Sequence, residues 1–107
     1  MAETLNGKSA VISGVGSGFG KATAELFAKT DQVDLVLIDY NEEALQATAE
    51  VCRAAGSKVV AIPGDVTKLE TFELAFKETL EKFGKVDFLI NYASGAIKVA
   101  QIGRAHV

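Results

Sequence analysis

A glycine-rich segment between a short apolar run and a helical pattern is the feature that most constrains the fold. Four of the ten glycines of the 107-residue chain lie within seven positions, at Gly14, Gly16, Gly18 and Gly20. The apolar run before them predicts a strand, and the residues after them predict a helix. A strand, a glycine turn and a helix in this order place free backbone N–H groups at a helix N-terminus, which suits a phosphate. A flexible loop accounts for scattered glycines but not for this placement.

The remainder of the chain alternates strand and helix patterns. Nearly continuous apolar runs are typical of parallel strands covered on both faces, and they predict strands at residues 8–13, 33–38, 58–62 and 86–90. The order βαβαβαβ predicts an α/β fold, a partial Rossmann-like doubly wound parallel sheet whose second half is missing. Little is readable after residue 90, so we expect the fourth strand to remain an unpaired apolar edge.

The predicted helices have recognisable ends. The first is expected at residues 18–30, the second after an Asn41 N-cap, and the third after a capping box formed by Thr67 and Glu70. Gly56 and Gly84 predict left-handed helix ends. An apolar stripe on the third helix is expected to face the core: Leu69, Phe72, Phe76, Leu80 and Phe83.

Composition narrows the class of protein. The net charge of −3 provides no basic field, so nucleic acid is not an expected partner, and no apolar run is long enough to span a membrane. Cys52 is the only cysteine, which excludes an intrachain disulfide and fits a reducing, cytoplasmic location. We expect Cys52 to pack as a small apolar group.

The glycine spacing narrows the type of nucleotide site. The pattern G-x-x-x-G-x-G fits Gly14, Gly18 and Gly20, whereas G-x-G-x-x-G fails because Phe19 and Lys21 occupy the third glycine position. We expect Gly14 to permit the tight turn, Gly18 to let the backbone approach a pyrophosphate, and Gly20 to let the helix pack closely on the strand. Methyltransferases also have glycine-rich first loops, so this pattern alone leaves that class open.

Asp39 points to a dinucleotide. It ends the second predicted strand about 20 residues after Gly20, where such a fold places an acid that binds ribose hydroxyls. A carboxylate there repels the extra phosphate of NADP, and no arginine is nearby, so we expect NAD as the cofactor. The alternative is a strand-end aspartate that caps the following helix.

Taken together, these residues resemble the amino-terminal half of a short-chain dehydrogenase/reductase. Ser13-Gly14-x-x-x-Gly18-Phe19-Gly20 is similar to the family's TGxxxGxG motif, Asp65-Val66 to its adenine-contacting pair, and Asn91-Tyr92-Ala93-Ser94 to its Asn-Asn-Ala-Gly segment. Tyr92 and Ser94 depart from that last segment. The resemblance and the residue patterns assign cofactor binding to Ser13, Gly14, Ser17, Gly18, Phe19, Gly20, Asp39, Tyr40, Asp65, Val66, Asn91, Ala93 and Ser94.

The resemblance implies an oxidoreductase that moves a hydride between NAD(H) and an alcohol or carbonyl substrate. The family's catalytic Tyr-x-x-x-Lys pair is absent, because Ala44 follows Tyr40 and Ala96 follows Tyr92 at that spacing. We therefore expect no catalytic residue or metal site in this chain, no activity from it alone, and a parent that is a homo-oligomer. The alternatives are a non-catalytic nucleotide-binding or interaction module and an S-adenosylmethionine-dependent methyltransferase fragment, which Asp65-Val66 and the Asn91 segment disfavour.

The last six residues are expected to be a non-native tail. Ile-Gly-Arg-Ala-His-Val is what the codons ATC GGA AGA GCA CAC GTC encode, and this string matches a common short-read sequencing adapter. Gln101, encoded as CAG, supplies the AG that precedes ATC in the adapter. We therefore expect residues 1–101 to form a partial NAD(P)-binding Rossmann domain and residues 102–107, with His106, to have no function. A natural tail that matches by chance is the alternative.

Overall fold

The computed structural model describes residues 5–92 and 98–101, and its element order matches the predicted one as far as the fourth strand. The helices are α1 (Gly18–Asp31), α2 (Glu42–Ala54) and α3 (Leu69–Phe83). The strands are β1 (Ser9–Ser13), β2 (Asp34–Asp39), β3 (Val59–Pro63), β4 (Phe88–Asn91) and β5 (Lys98–Gln101).

The strands form one sheet in the order β3-β2-β1-β4-β5. The first four are parallel to one another, which confirms the predicted partial Rossmann-like α/β fold. The expectation that β4 remains an unpaired edge is wrong, because β5 pairs with it in antiparallel register, with Asn91 opposite Lys98. Only six residues separate these two strands, too few for the crossover that a parallel neighbour requires.

Both faces of the sheet are covered, which explains the continuous apolar runs. Alternate residues of β1 and β2 face opposite sides. Ile12 and Leu37 pack with α1 and α2, whereas Val11 and Val36 pack with α3. Cys52 is fully buried on the α2 side, as predicted, and burial is the main cause that raises the pKa of its thiol to about 11. This thiol is therefore protonated at neutral pH and unreactive.

Most predicted helix ends are confirmed. The Asn41 side chain accepts a hydrogen bond from the Ala44 N–H at 3.1 Å, and Gly56 and Gly84 have φ angles of 110° and 79°. Within the described residues, no helix is both long and apolar enough to cross a bilayer.

Two expectations about α3 are wrong. The Thr67 hydroxyl donates to Asp65 Oδ1 at 2.7 Å instead of capping the helix, so no capping box forms and Lys68 takes the N-cap position. Leu69, the first residue of the helix, is 69% exposed and is not among the residues that pack on the core. The other members of the stripe pack on the core as predicted: Phe72, Phe76, Leu80 and Phe83.

A polar cluster joins the beginnings of β1 and β4. Asp87 Oδ2 accepts hydrogen bonds from the Ser9 N–H at 2.8 Å and from Lys85 Nζ at 2.7 Å, and the same ammonium donates to the Gly7 carbonyl. Burial tends to raise the pKa of Asp87. The bonds from Lys85 and Ser9 and the charges of Lys85 and Lys8 outweigh it, so the pKa lies below its usual range. The ionised carboxylate therefore stabilises the fold.

We expect Asp87→Asn to lower the free energy of unfolding by about 2 kcal/mol, the usual contribution of hydrogen bonds to a charged group. A carboxyl whose pKa is depressed by folding stabilises the protein above its unfolded pKa of about 3.9, and this contribution is lost as the pH falls through the folded value. The free energy of unfolding, measured by urea denaturation from pH 7 downward, should thus fall more steeply with pH in the unmodified chain than in the variant. Asp34→Asn, at the same end of the sheet, is the control, and equal acid profiles for Asp87→Asn and the unmodified chain would contradict the assignment.

Candidate functional site

A cleft of about 640 Å³ lies at the carboxyl ends of the parallel strands. In open α/β sheets ligands bind at this edge, where the chain connections diverge to opposite faces. The volume is within the range of small-molecule sites. The wall consists of the loop after β1, the end of β2, the loop after β3 and the residue after β4: Gly14, Gly16, Ser17, Gly18, Phe19, Gly20, Asp39, Tyr40, Asn41, Ala44, Gly64, Asp65, Val66, Thr67 and Tyr92.

The glycines of the first loop differ in what they permit. Gly14 turns with a φ of 75°, and its N–H donates to the Ile38 carbonyl at 2.9 Å. A Cβ on Gly20 would stand 1.9 Å from the Gly14 carbonyl oxygen, so only glycine allows α1 to begin this close to β1. Gly18 has a φ of 59°, and no described atom within 4 Å would meet a Cβ there. It leaves open space at the helix end.

The N-terminus of α1 is free to bind an anion. The side chain of its N-cap residue, Ser17, makes no capping hydrogen bond, and the first turn contains no acidic residue. By contrast, α2 has the Asn41 cap and both Glu42 and Glu43 in its first turn. The first N–H groups of a helix lack intrahelical acceptors and carry partial positive charge. At α1 that charge faces the cleft, where a phosphate would complement it.

Asp39 connects two walls of the cleft. Its Oδ2 accepts from the Gly16 N–H at 2.8 Å, and its Oδ1 accepts from the Asn41 N–H at 2.9 Å. Each carboxylate oxygen can accept two hydrogen bonds, so the group retains capacity for a ligand hydroxyl. A Cβ on Gly16 would stand 2.9 Å from Oδ2, so this glycine is needed for the contact.

The loop after β3 carries a second carboxylate. Asp65 Oδ1 accepts from both the hydroxyl and the N–H of Thr67, at 2.7 and 2.9 Å. The bond from the Thr67 hydroxyl is the larger cause, and together the two bonds hold the pKa of Asp65 below its usual range. Asp39 and Asp65 are the charged residues of the cleft wall, and both are acidic. Phe19 and Tyr40, 76% and 84% exposed, add aromatic surface suited to a flat ring.

The cleft unites most of the sequence-predicted site residues. Its wall contains Gly14, Ser17, Gly18, Phe19, Gly20, Asp39, Tyr40, Asp65 and Val66. Ser13 and Asn91 do not line the cleft. Ser13 is fully buried, and its hydroxyl donates a hydrogen bond to Asn91 Oδ1 at 2.6 Å. Ala93 and Ser94 lie outside the described residues, as do residues 102–107. No metal-binding group of three or more acidic, histidine or cysteine side chains occurs in the described part of the chain.

Sequence reasoning missed six residues of the wall: Gly16, Asn41, Ala44, Gly64, Thr67 and Tyr92. All six lie within four residues of a predicted residue, and all except Ala44, which is in α2, lie in the segments that follow the strands, so proximity in sequence is the signal that could have found them. Tyr92 departs from the family's motif, but nothing in the sequence indicates that its side chain faces the cleft.

The sequence of this chain is similar to those of known proteins. Residues 8–105 match the family described as short chain dehydrogenase. The 11-beta-hydroxysteroid dehydrogenase-like 2 of Arabidopsis thaliana is 39% identical over 85% of this chain and 30% of its own length. Glucose 1-dehydrogenase 2 of Bacillus subtilis is 33% identical over 85% of this chain and 35% of its own length.

Solved structures of the same family have a similar fold. A short chain dehydrogenase/reductase from Burkholderia phymatum, crystallised in complex with NAD, is 42% identical and superposes with a TM-score of 0.75, covering 82% of this chain and 31% of that one. The chain therefore spans about a third of the length of the relatives it matches.

Two glycine substitutions test how tightly α1 meets the loop. We expect Gly20→Ala to cost about 3 kcal/mol of unfolding free energy or more, because its Cβ would collide with the backbone of Gly14, which cannot move aside. Gly18→Ala, two residues earlier, meets no neighbour and should cost only about 1 to 2 kcal/mol for its left-handed backbone. Urea denaturation of both variants measures the difference. Equal losses would show that the close approach of Gly20 to Gly14 does not occur.

Proposed function

The chain belongs to the short-chain dehydrogenase family, and on this premise we propose that it forms the dinucleotide-binding part of an NAD-dependent oxidoreductase. The whole protein would transfer a hydride between NAD(H) and an alcohol or carbonyl substrate. The nicotinamide, when bound, supplies the hydride chemistry. The residues of this chain would bind and orient the cofactor.

The observation that carries the proposal is the uncapped N-terminus of α1, which faces the cleft at the carboxyl edge of the parallel strands. In our assignment the pyrophosphate lies against the N–H groups of the first turn, around Gly18, Phe19 and Gly20. The fit is supported by the open space at Gly18 and by the absence of a protein anion in that turn.

The adenosine would occupy the β2 and β3 side of the cleft. We assign the ribose hydroxyls to Asp39, whose carboxylate is already oriented by two backbone N–H groups. The adenine would lie between Tyr40 and the Asp65-Val66 pair. By resemblance, Asn91, Ala93 and Ser94 are assigned to the nicotinamide side, with Ser13 supporting Asn91 from below.

The cofactor we propose is NAD rather than NADP. The 2′-phosphate of NADP would stand beside Asp39, and the charged residues of the cleft wall are both carboxylates. Like charges in such proximity disfavour binding. The NAD complex of the Burkholderia protein is consistent with this choice.

The chemistry of the whole protein requires residues that this sequence does not contain. Neither Tyr40 nor Tyr92 is followed four residues later by lysine. We propose that residues 1–101 are a partial dinucleotide-binding domain and that residues 102–107 are a non-native tail. We further propose that the whole protein is cytoplasmic and homo-oligomeric, and that it binds neither nucleic acid nor membranes.

Titration calorimetry tests the cofactor assignment. We expect NAD to bind at least about tenfold more tightly than NADP, roughly 1.4 kcal/mol, because of repulsion at Asp39. S-adenosylmethionine should not bind measurably. Asp39→Asn should reduce the preference for NAD, whereas Asp34→Asn, at the opposite end of β2, should leave it unchanged. Tighter binding of NADP than of NAD would contradict the role of Asp39, and binding of S-adenosylmethionine alone would favour a methyltransferase.

An activity assay tests the catalytic part of the proposal. The 107-residue chain, incubated with NAD and a panel of alcohols, should form no NADH above the buffer rate, because no Tyr-x-x-x-Lys pair is present to move the proton. A short-chain dehydrogenase that contains the pair serves as the positive control. Turnover by this chain alone would show that another group supplies the acid–base step.

A further inference from the structure

Tyr92 connects the end of β4 to α1. Its N–H donates to the Ser13 carbonyl at 3.2 Å, which fixes its backbone on the end of β1. Its hydroxyl shares a hydrogen bond of 2.8 Å with the hydroxyl of Thr23, in the second turn of α1. The ring lines the cleft and packs against the core beneath α1 and α2. One side chain therefore links the strand, the helix and the cleft wall.

The inner face of α1 packs on the core mainly through small residues. Its buried residues are Gly20, Ala24 and Ala28, which have little or no side chain, and one large residue, Phe27, packs partly buried against the same core. Small residues let a helix approach a sheet closely, but they make few of the interlocking contacts that resist rotation or sliding. The preceding loop contains Gly14 and Gly18 at positive φ, and glycine restricts the backbone least. A directional bond between Thr23 and Tyr92 therefore has a larger effect here than on a well-interlocked helix.

The position of this bond determines which part of a ligand it affects. The sheet order places Tyr92 on the β4 side of β1, whereas Asp39 and Asp65 end strands on the other side. Thr23 is only five residues from the start of α1, or about 8 Å along the helix axis. Movement of α1 would thus displace its first N–H groups without disturbing Asp65.

We propose that Tyr92 is a positioning residue of the dinucleotide site. Through Thr23 it holds the N-terminus of α1 so that the first-turn N–H groups meet the pyrophosphate. This inference rests on the proposed function, because it concerns the same ligand. It also accounts for Tyr92 as a departure from the asparagine of the family's motif.

The test compares a ligand that contains the pyrophosphate with one that does not. Dissociation constants for ADP-ribose and adenosine are measured by NMR titration of the full 107-residue chain. The variants are Tyr92→Phe, Thr23→Val and the two combined. Thr30→Val is the matched control, because Thr30 is an exposed threonine of the same helix, far from the cleft. Thr23→Ser tests rescue, since it keeps the hydroxyl.

We expect Tyr92→Phe and Thr23→Val each to weaken ADP-ribose binding about fivefold, within the contribution of one hydrogen bond, and the double variant to lose no more. Adenosine binding should not change, and Thr23→Ser and Thr30→Val should bind both ligands as the unmodified chain does. A general loss of structure would instead weaken both ligands equally.

Two results would overturn the inference. If the unmodified chain binds ADP-ribose and Tyr92→Phe binds it equally well, or loses adenosine to the same degree, Tyr92 does not position the pyrophosphate site and the proposed function stands. If the unmodified chain binds neither ligand, the proposed function fails and this inference with it.

Discussion

The approach of α1 to the turn after β1 is the constraint on which the site depends. Gly20 and the Gly14 carbonyl are so close that no side chain fits between them. Because the helix begins there, its first N–H groups lie at the cleft on the carboxyl edge of the sheet. The same edge receives Asp39 from β2 and Asp65 from β3, since parallel strands end together. This backbone contact thus sets how closely α1 approaches β1 at the edge of the sheet where the cleft lies.

Asp39 shows that a structural and a ligand-binding interpretation need not exclude each other. As a strand-end aspartate it does bind the N–H of Asn41, the N-cap residue of α2. The second bond, to the Gly16 N–H, reaches 23 residues back in the chain and holds the glycine loop against β2. A carboxylate held on both sides loses little further entropy on binding a hydroxyl, which is the advantage of a preorganised site.

The sequence predicts the parts of this molecule that local patterns determine. The strands were readable because a strand buried on both faces must be apolar throughout, and the ends of α2 were readable because Asn41 and Gly56 act locally. The prediction of a capping box is wrong because the Thr67 hydroxyl binds Asp65 instead. The prediction that Leu69 faces the core is wrong because periodicity does not say where along a helix its contact with the core begins. The Gly16 contact and the Tyr92 bond join residues far apart in sequence, and no local pattern encodes them. β5 follows β4 after only six residues, but the sequence after residue 90 carries no readable strand pattern, so its pairing was not predicted.

The pairing of β1 with β4 has a consequence for synthesis of the chain. Val11 stands beside Leu89, and the hydrogen bonds that Lys85 Nζ donates to Gly7 and that the Ser9 N–H donates to Asp87 each span 78 residues. During translation β1 can pair with β2 early, but its other edge stays open until β4 has left the ribosome. A nascent chain therefore exposes an apolar strand edge until residue 91 has emerged, which is a state in which chaperones and unwanted partners compete for it.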